Sequence, residues 1–124
     1  RQLDYGRGAI DVLPEVVEAV GGKAEVAVDG GFCRGTDIVK AMILGADAVG
    51  LGRMQGYALA AGGESGLVRM LEILERECEV ALGLLGVTSF SELDSSYITT
   101  APPVLTPGPF AAFPHLKWPR HNEF

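Results

Sequence analysis

The stretch most able to do chemistry is "VDGGFCRGTD", residues 28–37, where two consecutive glycines, an arginine and a helix-start sequence follow a short apolar run. Glycine lets a backbone approach a ligand closely, and the first turn of a helix offers unpaired N–H groups to an anion. A second strand end, "VGLGR" at 49–53, repeats the pattern after one helix-like stretch. One glycine pair alone reads as a tight turn; two such ends, each followed by an arginine, point to a bound phosphate. The amides of Gly30, Gly31 and Gly52 can cradle phosphate oxygens, and Arg34 or Arg53 can add charge-assisted hydrogen bonds. Asp29, at the strand end, can accept from a ribityl or ribose hydroxyl. Cys33 raises a separate question. A thiol at a helix N-terminus has a lowered pKa and can be redox-active, the plainer reading being a substitution without chemistry.

These residues need elements to hold them. Residues 9–20 put Ile10, Leu13, Val16, Val17 and Val20 at spacings of three and four, the period of an amphipathic helix. Pro14 belongs in a first turn, which predicts a start around Asp11 to Leu13, and Gly21-Gly22 ends the helix. "AEVAVDGG" (24–31) reads as a strand closed by glycines. "GTDIVKAMILGA" (35–46) reads as a helix with Thr36 as N-cap and Gly45 as its stop. "DAVGLG" (47–52) is a second buried strand, 53–63 a short helix or turn, and 64–86 the longest helix. In that helix Leu67, Met70, Leu71, Leu74, Cys78 and Leu85 can line one face, and Glu72 and Arg76 form an i,i+4 pair. Glu72, Glu75, Glu77 and Glu79 read as a solvated acidic face. Ser89 and Glu92 have the spacing of a capping box. From Ala101 the texture changes: six of the seven prolines fall in 101–124, an extended tail whose Phe110, Phe113 and Trp118 suit lying on a larger body.

The bulk numbers agree with a folded piece of this kind. The 124 residues are the size of one domain, and 48% are apolar, enough for a buried core. A net charge of −6 disfavours nucleic acid as a partner. No apolar run is long enough to span a membrane, and the first ten residues lack the pattern of a signal peptide. The two cysteines, Cys33 and Cys78, have no CxxC or Cys/His metal spacing, which predicts reduced cytoplasmic thiols and no metal. The order helix, strand, helix, strand, helix implies parallel strands with crossover helices. Two strands make a poor parallel sheet by themselves. The expected fold is therefore α/β, the last two βα units and C-terminal helices of a (β/α)8 TIM barrel, whose loops after strands seven and eight commonly hold phosphate. Residues 1–100 belong to that domain and 101–124 to the tail.

The segments "RQLDYGRGAIDVLPEV", "VDGGFCRGTDIVKAMILGADAVGLGR" and "ALGLLGVTSFSEL" closely resemble the C-terminal third of the FMN-dependent α-hydroxy-acid dehydrogenases and oxidases. The resemblance covers roughly residues 1–95 in the right order and spacing. It implies a C-terminal fragment of an FMN enzyme that oxidises a small L-2-hydroxy acid to the 2-oxo acid. Members carry an Asn-His-Gly-(Gly/Ala)-Arg-Gln-Leu-Asp loop, in which the His is the base and the Arg binds the substrate carboxylate. Arg1 matches that arginine, Asp4 matches a residue that sits close to the histidine and can orient neighbouring groups, and the histidine itself falls three positions before residue 1. The family's Asp-Gly-Gly-Val-Arg-Arg-Gly-Thr-Asp motif falls on Asp29 to Asp37. It implies FMN-binding roles for Asp29, Gly30, Gly31, Phe32 and Cys33, and the Gly-Arg motif implies them for Gly52 and Arg53. Two positions depart from the pattern. Cys33 replaces the first arginine of Arg-Arg, so position 33 can contact phosphate through its backbone only, and Met54 stands where proline usually follows Gly-Arg.

The chemistry implied needs a cation for the carboxylate, a base, and a flavin to take two electrons. Arg1 supplies the first, and His115 and His121 read as surface residues of the tail, so no base lies in this chain and the fragment alone is inactive. The implied partners are a 2-hydroxy acid, the remainder of the barrel in cis or as a second chain, and further copies in a homo-oligomer of the family's tetramer type. The full enzyme is expected in the cytoplasm, with peripheral membrane association in some relatives. Two alternatives stand beside this reading. One is another phosphate-binding barrel of the inosine-monophosphate dehydrogenase or isopentenyl-diphosphate isomerase type, and the other a noncatalytic half-barrel that assembles through its strand edges.

Overall fold

The computed structural model describes residues 6–100. Helix α1 spans Ala9–Val20, strand β1 Ala27–Asp29, helix α2 Gly35–Ile43, strand β2 Ala48–Gly50 and helix α3 Arg53–Leu85, followed by 3-10 turns at Phe90–Glu92 and Ser95–Tyr97. The strands are parallel neighbours, joined through α2. An alternating α/β chain is thus present as expected, although each strand keeps only three residues of the longer apolar run.

Helix α1 starts earlier than Pro14 suggested. Gly8 is extended and its carbonyl accepts from the amides of Asp11 (3.1 Å) and Val12 (3.3 Å), so the helix begins at Ala9 and carries Pro14 inside. Packing explains the extension: Ala9, Ile10 and Val17 lie against the buried cluster of Leu13, Val26, Val28, Phe32, Ala41 and Ala46. Burying that apolar face outweighs the ladder bond that proline cannot make. Val16, read as part of the face, is exposed. Gly21, at φ 57°, ends the helix as predicted.

Asp47 ties the sheet together. Its carboxylate accepts from the Val26 amide at 2.7 Å, and its own amide donates to the Val26 carbonyl at 2.8 Å. The two strands therefore enter the sheet in fixed register, Ala27 opposite Ala48 and Asp29 opposite Gly50.

Helix α3 is two helical pieces meeting at Gly62 and Gly63, which leave helical geometry; Gly63 has φ 59°. This is the break expected between 53–63 and 64–86. The buried face of the second piece is Met70, Leu74 and Ala81, with Leu67 and Cys78 half-buried. Leu71 is exposed because it falls to the side of that line, and Leu85 is exposed at the last residue of the helix. Glu72 does not pair with Arg76. Instead Arg69 reaches Glu72 (2.9 Å) and Arg76 reaches Glu79 (2.8 Å), both at i,i+3 on an exposed face. After the helix, Glu92 reaches back to the amides of Thr88 (2.9 Å) and Ser89 (3.0 Å), so the capping residues enclose a 3-10 turn rather than a helix. Leu84 is 84% exposed, and Val68, Leu71, Ile73 and Val80 are exposed as well. The described residues leave that much apolar helix uncovered.

Candidate phosphate site at the strand ends

Register decides the geometry of the site. Since Asp29 lies opposite Gly50, the turns that follow β1 and β2 leave the sheet at the same level, about 5 Å apart by the spacing of neighbouring strands. Gly30 (φ 132°) and Gly31 (φ 83°) adopt backbone angles that favour glycine. A Cβ added at Gly31 or at Gly52 would meet nothing within 4 Å, so both turns face open space. Gly50 is held to glycine for the opposite reason. A Cβ there would stand 2.9 Å from the Asp29 Cβ, so Asp29 lies directly against the second strand end.

The remaining predicted residues divide between the site and the core. Phe32 is buried with Leu13 and Val28, so its backbone alone is left to face a ligand. Gly52 precedes α3 and Arg53 opens it, with Arg53 exposed. The two turns share one neighbourhood, because Cys33 lines the same apolar groove of about 390 Å³ as Met54 and Tyr57, and the positive charge of Arg53 acts on the Cys33 thiol. That thiol is not activated. Burial, then the charge of Asp37, push its pKa above the ordinary range, with Arg53 opposing only in part. The plainer reading of Cys33, a substitution without thiol chemistry, agrees with this, and the alternative of a lowered thiol pKa does not, since carboxylates already occupy this helix start.

Those carboxylates come from two places. The α2 N-cap is Arg34, not Thr36, and the Asp37 carboxylate accepts from the amides of Cys33 (3.2 Å) and Arg34 (3.1 Å). Glu77, on α3, accepts from the Gly35 amide at 2.7 Å and lies 3.7 Å from the Arg34 guanidinium. Sequence reading placed Glu77 on a solvated face; it is instead half-buried against α2. A Cβ at Gly35 would lie 2.5 Å from the Glu77 Cβ and 2.6 Å from the Cys78 amide nitrogen, so the two helices touch backbone to backbone. The Cys78 thiol donates to the Gly35 carbonyl at 3.5 Å, and burial raises its pKa too. No local signal could have found Glu77, which is 42 residues from its partner. Arg1, Asp4 and the tail with His115 and His121 lie outside the described residues. Among the described residues no cluster of metal-binding side chains occurs, and no helix is long and apolar enough to cross a membrane.

Comparison with known proteins adds to this geometry. The chain is 46% identical over 98 residues to the L-lactate oxidase of Nostoc sp., covering 79% of this chain and 27% of that protein. It is 47% identical over 102 residues to human 2-hydroxyacid oxidase 1, covering 82% of this chain and 28% of that one. A solved mandelate oxidase variant carrying a monooxide FMN adduct superposes with a TM-score of 0.71 at 47% identity, over 74% of this chain and 29% of that one. The chain thus spans a little over a quarter of the length of these relatives. The alternative of an inosine-monophosphate dehydrogenase-like barrel gives way to these matches. The sequence profile of the FMN-dependent dehydrogenases matches residues 1–100, so the chain belongs to the FMN-dependent dehydrogenase family, whose cofactor is FMN.

Proposed function

We propose that this chain is the C-terminal portion of a TIM-barrel enzyme that oxidises a small L-2-hydroxy acid to the 2-oxo acid, and that it carries the FMN-phosphate site. The observation that supports this best is the pair of open glycine turns leaving β1 and β2 in register. A phosphate dianion needs several N–H donors and a cation converging from one side. The amides of Gly30, Gly31 and Gly52 are the donors, with that of Phe32 beside them, and Arg53 is the cation; the Cys33 amide is engaged by Asp37. Asp29 takes a ribityl hydroxyl. Arg1 binds the substrate carboxylate, where the fork of a guanidinium matches two oxygens.

FMN supplies a two-electron acceptor to this site. What the chain itself contributes is placement. Positive-φ glycines bring the backbone close to the phosphate, and the half-buried Cys33 with Met54 excludes water from the apolar side of the turn. The base of the reaction is supplied from the rest of the barrel. The remainder of the barrel, in cis or as a second chain, covers the sheet edges that the described residues leave unpaired and the exposed faces of α3. Identical subunits then assemble as a homo-oligomer, and the same reading places the enzyme in the cytoplasm.

The test is flavin binding by the native polypeptide that carries these residues, measured by quenching of flavin fluorescence with FMN and with riboflavin, which lacks the phosphate. Arg53→Met is expected to weaken FMN about 10- to 100-fold, the worth of one charge-assisted bond, and to leave riboflavin unchanged. Absence of any flavin binding, or equal loss for both flavins, refutes the reading. Bleaching of the bound flavin by an added 2-hydroxy acid under anaerobic conditions identifies the substrate class.

A further inference from the structure

Two arginines stand near the proposed phosphate site, and the fold treats them differently. An uncapped start of α2 next to Arg34 would be the stronger anion trap of the two turns, because helix-end amides and a guanidinium would converge there. That trap is already filled. The amides of Cys33 and Arg34 donate to Asp37, the amide of Gly35 donates to Glu77, and the Arg34 guanidinium faces the other Glu77 oxygen. Asp37 is a local cap that belongs to α2 itself. Glu77 arrives from α3, where the backbone contact at Gly35 locks it in place.

We infer that Glu77 is a positioning residue for the phosphate site: it withdraws Arg34 and the start of α2 from anion binding and leaves Arg53 with the Gly30–Gly31 turn to hold the phosphate. The inference rests on the FMN-phosphate reading above and assigns the cation within it. The physical reason is like-charge exclusion. A dianion at the start of α2 would have to displace a carboxylate from a 2.7 Å hydrogen bond and then sit beside it. At the other turn Gly31 and Gly52 open onto free space, and the Asp29 side chain lies against Gly50. The same arrangement explains how an arginine can directly follow Cys33 without replacing the cation that the family carries at position 33.

The experiment follows the backbone amide signals of Gly31, Arg34, Gly35 and Arg53 in the isotope-labelled chain during titration with inorganic phosphate, FMN and riboflavin. Wild type is compared with Glu77→Gln, which keeps an oxygen for the Gly35 amide but removes the charge, and with Glu77→Ala. Phosphate is expected to leave Arg34 and Gly35 unmoved in wild type. In Glu77→Gln those two signals gain a saturable response, with apparent affinity at least about tenfold above wild type. A wild-type response at Gly35 and Arg34 overturns the inference, whether or not either variant folds. So does silence of both signals in two folded variants. A purely structural Glu77 would not give Glu77→Gln a new anion response. FMN, unlike riboflavin, moves Gly31 and Arg53; failure of that arm refutes the FMN-phosphate reading and the role of Arg53, while the Glu77 variants decide separately whether Arg34 is withheld.

Discussion

Replacing Gly35 by alanine tests the contact on which the whole site is built. Gly35 has an ordinary helical backbone, so no torsional strain is added, and helix propensity alone would favour alanine by up to about 1 kcal/mol. The new Cβ, however, would stand 2.5 Å from the Glu77 Cβ, 2.6 Å from the Cys78 amide nitrogen and 2.8 Å from the Glu77 carbonyl carbon. Two of these are backbone atoms, which cannot swing aside. Helix α3 must retreat by roughly 1 Å to restore ordinary contact distance. Overpacking of this kind costs about 1–3 kcal/mol, and retreat also weakens the Gly35–Glu77 bond, worth another ~1.5 kcal/mol for a charged acceptor. After the propensity gain, the expected net loss is about 2–3 kcal/mol. For a domain of this size that lowers the thermal midpoint by roughly 10–20 °C. Urea and thermal unfolding followed by circular dichroism measure it. Gly83→Ala is the control, since a Cβ in that helical position meets nothing within 4 Å. It should stabilise by about 0.5–1 kcal/mol. A Gly35→Ala protein within about 0.5 kcal/mol of wild type would show that the helices are not in backbone contact, and the placement of Glu77 would fall with it.

Asp47→Ala removes the side-chain acceptor of the Val26 amide and should cost about 1–2 kcal/mol in urea unfolding, with Asp47→Asn recovering part of the loss. Cys33, its pKa raised chiefly by burial, should be alkylated by iodoacetamide more slowly than a free thiol at the same pH, with its rate rising only above the ordinary thiol range; a Cys33 faster than free cysteine contradicts the burial. Because the folded chain holds both thiols protonated, the stability they confer is complete below the ordinary thiol pKa. It is lost as pH rises through the folded values, and a Cys33→Ser, Cys78→Ser protein should lose that alkaline dependence. Glu92 has the opposite sign. Hydrogen bonds from Thr88, first from its hydroxyl, hold its pKa down, so its contribution is present above the ordinary carboxylate pKa and disappears as pH falls through the lowered one. The difference in thermal midpoint between wild type and Glu92→Gln should therefore close in acid.

Much of the local design is legible along the chain. Apolar spacing located α1 and the buried half of α3, glycines marked the stops at Gly21 and Gly45, and Gly62-Gly63 marked the break in α3. The glycine end of β1 was visible because Gly30 and Gly31 take backbone angles that other residues rarely adopt, which residue type must encode; at the β2 end Gly50 is glycine because a Cβ would meet Asp29. Motif spacing carried the family as well. Other features were invisible because they depend on partners distant in sequence. The start of α1 is set by burial of Ala9 and Ile10 in the core, against the local preference of Pro14. Glu77 looked like one more solvated carboxylate among its neighbours on α3. Whether the Cys33 thiol is activated could not be read locally, because the carboxylate that caps its helix start had first to be placed. What the sequence alone determined is where the backbone can bend and which faces must be buried, since both are properties of single residues and short periods. Which charges meet was decided only by the tertiary structure, because the packing of α3 across α2 brings Glu77 to Gly35, and Coulomb and hydrogen-bond energies depend on that distance rather than on position in the chain.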